Sequence, residues 1–519
     1  MIFFCLSDRN EPPAHPNGQR SGKSYGVGLS SRATTNWRGN GLQLPQGRTG
    51  PLTRARGVAV RHRPKLAPPA RTLVTARRPA LAHETMDNYD YILGAFASDQ
   101  YAPLLPADRR RHVYIVGQTG TGKTALLYNL MLSDLTGGRG FCFLDPHGDA
   151  CKAVAAATPK RRINDVIYFD PSDPSHAMSY NPLDGVGEHD RATRAANIVS
   201  AFKAIWGSSW GPRLEYVFTN ALRLLLDNED QSLIALPRLF VDERFRKRLL
   251  KNCADPVIRF YWEREFPSLD DRQRAEALSP IQNKVGVLLA NPFLRAVLCQ
   301  NTSTIDLENI MNSGKVLIVN LSKGNLGVEP AHLLGALLIS GISQAAEARR
   351  NIDEEERVDF TLYVDEFQNF ATDAFASILS EARKWRLCLV AANQHVAQLS
   401  PDLQHAVFGN AGTIVAFRVG ALDAPMIAAE LGMEDARTLR ETSNYHAWLR
   451  LMYDGMPREP HFISTLPPSP PAGDRFGRVV DRSRSRHGVP RSRVNSRIAD
   501  FFESASVAPA RPKRRRRPD

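Results

Sequence analysis

The chain has 519 residues, 43% of them apolar, and a formal net charge of +13. That length allows a substantial core and more than one domain, and the apolar share is ordinary for a globular protein. The charge is uneven: residues 1–84 carry a net +11, residues 475–519 a net +10 and the middle −8, which excludes any argument from overall basicity to nucleic-acid binding by the core.

Residues 1–85 are rich in Arg, Pro and Gly and show no periodicity. They read either as a disordered basic arm or as untranslated sequence ahead of Met86, where "MDNYDYILGAF" opens the first plausible folded segment. The start "MIFFCLS" is too short for the core of a signal peptide, and Asp8 follows at once. From about residue 110 a series of short apolar runs begins: "HVYIVG", "FCFLD" (141–145), "VIYFD" (166–170), "KVLIVNL" (315–321), "FTLYVDE" (360–366), "LCLVAAN" (387–393) and "TIVAFR" (413–418). Each is continuously apolar rather than alternating, as parallel strands covered on both faces require. Helical stretches intervene at 123–135, 329–350 and 373–385, so the pattern predicts an α/β fold with a mostly parallel sheet.

Between 185 and 305 the strands stop. Segments such as "ATRAANIVSAFKAIW" and "RLEYVFTNALRLLLDN" read as successive amphipathic helices, an all-α domain inserted into a core formed by 86–184 and 306–465. After 465, "TLPPSPPAGDRFGR" opens a Pro/Arg-rich tail, 466–519, predicted to be disordered. Its basic end, Lys513 to Arg517, suits either phosphate binding or a solubilising terminus. The longest apolar stretch elsewhere, "LLGALLISGI" (333–342), falls short of the roughly 20 residues that span a bilayer. Cys5, Cys142, Cys151, Cys253, Cys299 and Cys388 form no C-x-x-C pair. They read as reduced thiols of a cytoplasmic protein that reaches a membrane only through a partner.

"GQTGTGKT" matches G-x-x-x-x-G-K-[ST] at every fixed position: Gly117, Gln118, Thr119, Gly120, Thr121, Gly122, Lys123 and Thr124. Its glycines let backbone N–H groups turn inward around phosphate oxygens. Lys123 reaches the β- and γ-phosphates, and the Thr124 hydroxyl is offered to Mg²⁺. A strand precedes it and a helix follows, and the helix N-terminus favours an anion. Downstream, "FTLYVDEFQNF" sets Asp365 and Glu366 at the end of a buried strand. Paired acids there are costly unless a cation sits against them. Acids could also serve the N-terminus of the next helix. With a phosphate-binding loop in the chain, they read as a magnesium ligand, Asp365, and a general base, Glu366.

These residues resemble the HerA–FtsK group of P-loop ATPases, and within it the soluble domains of type IV secretion coupling proteins, the conjugative DNA-transfer ATPases. The resemblance spans about 110–465 and rests on "IVGQTGTGKT", "FLDPHGD", "WGPRLEYVFTNALRLLL", "GKVLIVNLSKGNLG", "LYVDEFQNF", "SEARKWRLCLVAANQH" and "GNAGTIVAFRVG" in that order. It implies a RecA-like core binding ATP and Mg²⁺, working as a homo-oligomeric ring of hexamer type and moving DNA without sequence preference. It also implies relaxase or secretion-system proteins as partners; the large α insertion and the lack of an identifiable DNA-reading motif point to the alternative, an ATP-gated adaptor that recruits protein substrates without moving DNA. On this chain it makes Gln394 a sensor of the γ-phosphate or attacking water. Arg383 becomes an arginine finger reaching the neighbouring subunit, with Arg418 as the competing candidate. Asp145 and His147 either contact the nucleotide site or form the turn. Two features depart from the family: no N-terminal membrane helices are evident, and residues 86–110 are too few for the barrel of HerA-type members.

Overall fold

The seven apolar runs form seven parallel strands of a single sheet. In the computed structural model the described residues are 91–98, 100–471 and 473–506; the basic arm 1–85 and the end of the tail, 507–519, lie outside them. The strands are β1 (Ile92–Phe96), β2 (Tyr101–Pro103), β3 (Val113–Val116), β4 (Gly140–Asp145), β5 (Val166–Phe169), β6 (Val316–Asn320), β7 (Phe360–Val364), β8 (Leu387–Asn393), β9 (Thr413–Ala416), β10 (His446–Arg450) and β11 (His461–Ser464). Their order across the sheet is β2-β1-β11-β10-β9-β3-β8-β7-β4-β6-β5. From β9 to β5 every pairing is parallel. Every residue of β3 to β9 is buried, because helices cover both faces.

The register brings the carboxyl ends of the central strands level. Val116 of β3 lies opposite Asn393 of β8, Val364 of β7 opposite Leu144 of β4, and Asp145 opposite Asn320 of β6. Residues following these strands therefore meet along one edge, where open α/β sheets bind ligands.

The four strands β2-β1-β11-β10 extend the sheet antiparallel beyond β9, an addition the sequence pattern did not predict. β10 alternates half-buried and buried residues, as a strand with one solvated face does.

The segment 185–305 is made of helices joined by turns, with no strand, and its longest helices are Arg191–Trp206, Pro212–Leu226 and Asp271–Ala290. The last begins with a capping box in which Asp270 and Gln273 satisfy each other's backbone N–H groups. Its buried side chains are continuous with those under one face of the sheet. The helix Val328–Glu347 lies at that junction. Gly335 permits its close approach, since a Cβ there would stand 2.3 Å from a ring atom of Phe370.

The tail differs from the expected disorder as far as residue 506. Helices Phe476–His487 and Arg491–Ser506 follow the Pro-rich stretch. The arginines masked an amphipathic pattern: Val479, Ser483, Val494 and Ile498 are buried. Ser483 Oγ accepts from the Tyr168 N–H at 2.9 Å and donates to the Val166 carbonyl at 3.3 Å. Both groups belong to edge strand β5, so the helix closes that edge. Arg484 pairs with Asp173 at 2.6 Å. The second helix reaches the α segment, where Phe501 meets the Phe245 ring edge-on.

Among the described residues no helix is long and apolar enough to cross a membrane.

Candidate active site

The phosphate-binding loop joins β3 to the helix Lys123–Gly137. It is tightly folded. A Cβ on Gly117 would lie 2.5 Å from Phe417 Cβ, and Gly122 has φ +122°, which glycine alone adopts freely. Thr121 Oγ1 donates to the Gln118 carbonyl at 2.7 Å, and the Gln118 N–H donates to the Arg418 carbonyl at 2.8 Å. Gly117, Gln118 and Thr121 thus shape the loop from behind. Thr119, Gly120, Gly122, Lys123 and Thr124 line a cleft of about 500 Å³. Lys123 is buried and its Nζ donates to the carbonyls of Gly117 and Gln118 at 2.6 and 3.2 Å, so it folds back on its own loop.

Asp365 and Glu366 line the same cleft, reached from β7. Asp365 is buried. Its Oδ2 accepts from Thr124 Oγ1 at 3.3 Å and its Oδ1 from the Glu366 N–H at 3.0 Å. Glu366 has φ +50°, a strained conformation for a residue with a side chain, worth about 1 kcal/mol or more. Asn369 holds it there: both its N–H and its side-chain Nδ2 donate to the Glu366 carbonyl, at 3.0 and 2.9 Å. The turn aims the carboxylate into the cleft, where its Oε2 accepts from Gln368 at 2.6 Å.

The electrostatics of this cluster are unbalanced. Burial, then the charges of Asp145 and Glu366, push the Asp365 carboxyl up to about 6, against Lys123 and the Thr124 hydroxyl. Burial likewise lowers the Lys123 amine, with Glu366 and Asp365 opposing. Asp365 and Glu366 thus act on Lys123, Glu366 also on Lys323 across the cleft lining, and Asp145 adds a third negative charge behind Asp365. A hydroxyl and a carboxylate oxygen side by side, in excess negative charge, are the donor set that Mg²⁺ takes together with water and phosphate. Thr124 and Asp365 fit it.

Gln394 also lines the cleft, just past the end of β8. Asp145 is buried and bonds its own turn, accepting from the His147 and Cys151 N–H groups at 2.8 and 3.3 Å, while His147 reaches the cleft wall. The two arginines do not enter the cleft of their own chain. Arg418 braces the loop, with Nε 3.3 Å from Gln118 Oε1. Arg383 is exposed, on the turn Ala382–Trp385 ahead of β8, whereas Gln394 follows that strand. Seven strand residues separate the two ends, about 23 Å.

Lys323, Gln368, Asn369 and Tyr445 line the cleft as well and were missed as site residues. Lys323 had a signal: it closely follows a buried parallel strand, where ligand-binding residues collect. Tyr445 had none, because it belongs to the antiparallel extension. Its N–H donates to the Thr121 carbonyl at 2.7 Å.

The family model described as type IV secretory system conjugative DNA transfer matches residues 72–249, and that of the TraM recognition site of TraD and TraG matches residues 359–456. The first span holds the phosphate loop, the second Asp365, Glu366 and Gln394. No curated protein sequence matches the chain. Among solved structures, the bacterial conjugative coupling protein TrwBΔN70, unbound, is similar with TM-score 0.53 and 15% identity, over 73% of this chain and 90% of that one. TrwB with a non-hydrolysable ATP analogue gives 0.54 and 14%, and TrwB with ADP and Mg²⁺ gives 0.52 and 14%, each over 75% of this chain and 94% of that one. At such identities the likeness is one of fold. The two family matches fall in chain order on that fold, one for each wall of the cleft, and the chain resembles the coupling-type P-loop ATPases of type IV secretion and conjugative DNA transfer.

Proposed function

We propose that the protein hydrolyses ATP with Mg²⁺ and uses the energy to move DNA, as a ring of identical subunits. One observation carries the reading: Lys123, Thr124, Asp365 and Glu366, far apart in sequence, line one cleft. Loop N–H groups and Lys123 hold the β- and γ-phosphates. Thr124 and Asp365 would hold Mg²⁺, which would supply positive charge against the phosphates. Glu366 takes the proton of the attacking water, and Gln394 orients that water. The exposed Arg383, outside its own cleft, supports a role in a neighbour's site, which makes turnover depend on assembly. Arg418, engaged with Gln118, is the weaker finger. TrwB with ADP and Mg²⁺ supports the cofactor choice by analogy of fold.

The test is ATP turnover of the full chain against protein concentration, with and without single- or double-stranded DNA. Turnover should rise steeply with concentration and with DNA. Lys123→Ala and Glu366→Gln should each lose about 100-fold or more, while keeping the fold by circular dichroism. A rate indifferent to DNA would remove translocation. It would favour the adaptor reading, for which the match of residues 359–456 to a TraM recognition site speaks. In either case the protein acts in the cytoplasm, and partners such as relaxase or secretion proteins would bring it to a membrane.

A further inference from the structure

Lys323 has no role in the mechanism above, yet it stands in the cleft. It sits on the turn after β6, which crosses to the turn after β4 through a hydrogen bond from its N–H to the Pro146 carbonyl at 3.2 Å. Its half-buried side chain ends on an amide oxygen, Asn369 Oδ1 at 3.2 Å, rather than on a carboxylate. Asn369 is the residue that fixes the Glu366 backbone. A terminal phosphate placed for attack by a water on Glu366 brings its own negative charge towards that carboxylate, and Lys123 lines the same cleft. A second ammonium beside Glu366 is what offsets this repulsion.

The same turn is tied to the inserted helices. Three residues beyond Lys323, the Leu326 carbonyl accepts from Asn291 Nδ2 at 2.9 Å. Asn291 is the joint between the helices Asp271–Ala290 and Pro292–Leu298, and its Oδ1 caps the second by accepting from the Phe293 and Leu294 N–H groups, both at 3.0 Å. One helical turn, Lys323–Leu326, thus has its cation in the cleft and its last carbonyl on the α segment. Three residues of helix rise only about 5 Å, so the cleft cation and the carbonyl that meets the α segment lie on one short turn.

We propose that Lys323 is a second phosphate-contacting cation, selective for the terminal phosphate, and that Asn291 passes its position to the inserted helices. This rests on the reading that the cleft takes Mg²⁺·ATP. Lys323 distinguishes triphosphate from diphosphate, because its partner Asn369 lies on the Glu366 side of the cleft. Asn291 then reports hydrolysis to the α segment.

The experiment uses the full chain with Mg²⁺ and either a non-hydrolysable ATP analogue or ADP. It measures both affinities, and hydrogen exchange in peptides covering 286–298. Wild type should show slower exchange there with the analogue than with ADP. Lys323→Ala should lower the affinity ratio of analogue to ADP about tenfold, the worth of one charge-assisted hydrogen bond, and erase the exchange difference. Lys323→Met, which keeps the apolar stem, should do the same, and Lys323→Arg should restore part of the ratio. Asn291→Ala should keep the ratio and lose the exchange difference. The proposal is overturned if both neutral variants keep the wild-type ratio, or if wild type shows no exchange difference at 286–298 while binding both nucleotides. Failure of wild type to bind either nucleotide would instead bring down the reading of the cleft, and this inference with it.

Discussion

Two buried aspartates lie near opposite ends of the helix Lys123–Gly137, and their surroundings could hardly differ more. Asp134, in its last turn, is completed by the protein. Arg109 donates to it twice, at 2.9 and 2.8 Å, the Tyr91 hydroxyl at 2.6 Å, the Tyr363 hydroxyl at 2.7 Å and Arg139 at 3.0 Å. Burial alone would raise this carboxyl, but Arg109 and these hydrogen bonds outweigh it and leave it lowered. Asp365, at the phosphate-loop end, has one hydroxyl and one backbone N–H, two acidic neighbours and a carboxyl pushed up to about 6. A carboxylate whose positive partner is part of the chain is architecture: it locks the helix to β7 and to the segment before β3. A carboxylate left short of positive charge, as Asp365 is, supports the proposal that a cation from outside binds there.

The contrast can be broken by removing each charge. Asp134→Asn should leave Arg109 buried without its counter-charge and cost about 3–5 kcal/mol in urea unfolding at neutral pH. A loss below 1 kcal/mol would mean that Arg109 finds water or another acceptor. Asp365→Asn should act in the opposite direction. Between the unfolded carboxyl's value near 4 and the folded value of about 6, the folded state binds the extra proton, so wild-type stability falls as pH rises through that window. Metal-free Asp365→Asn should therefore be more stable than wild type by about 2–3 kcal/mol at pH 8, with no advantage below pH 4. Thermal unfolding at both pH values in chelator checks it, and a destabilised variant at pH 8 would contradict the account. Smallest is Ser483→Ala at the sheet edge. It should cost about 1 kcal/mol and speed hydrogen exchange at the Tyr168 amide, which loses its acceptor.

The comparison also shows which parts of the molecule were legible in the sequence. The seven parallel strands were, because burial on both faces leaves unbroken apolar runs such as "FTLYV". The meeting of Lys123 and Thr124 with Asp365 and Glu366 in one cleft was legible too, because the loop motif fixes the first pair and a strand end the second. The antiparallel strands were not. β10, "HAWLR", and β11, "HFIS", each have a solvated face, so their polar residues read as loop. The helix Phe476–His487 hid behind its arginines, whose charge suggested disorder while Val479 and Ser483 marked a buried stripe. Tyr445 was lost for another reason: it joins the cleft through tertiary contact, and no local spacing announces that.

We propose that the excess negative charge at Asp365 and Glu366 serves a magnesium-bound triphosphate held by Lys123. The most direct measurement is calorimetric titration of a non-hydrolysable ATP analogue into the full chain at pH 8, with Mg²⁺ and with chelator. Affinity should rise at least tenfold with Mg²⁺ in wild type, lose that dependence in Asp365→Asn and collapse in Lys123→Ala. Equal affinity with and without Mg²⁺, or binding untouched by Lys123→Ala, would contradict it.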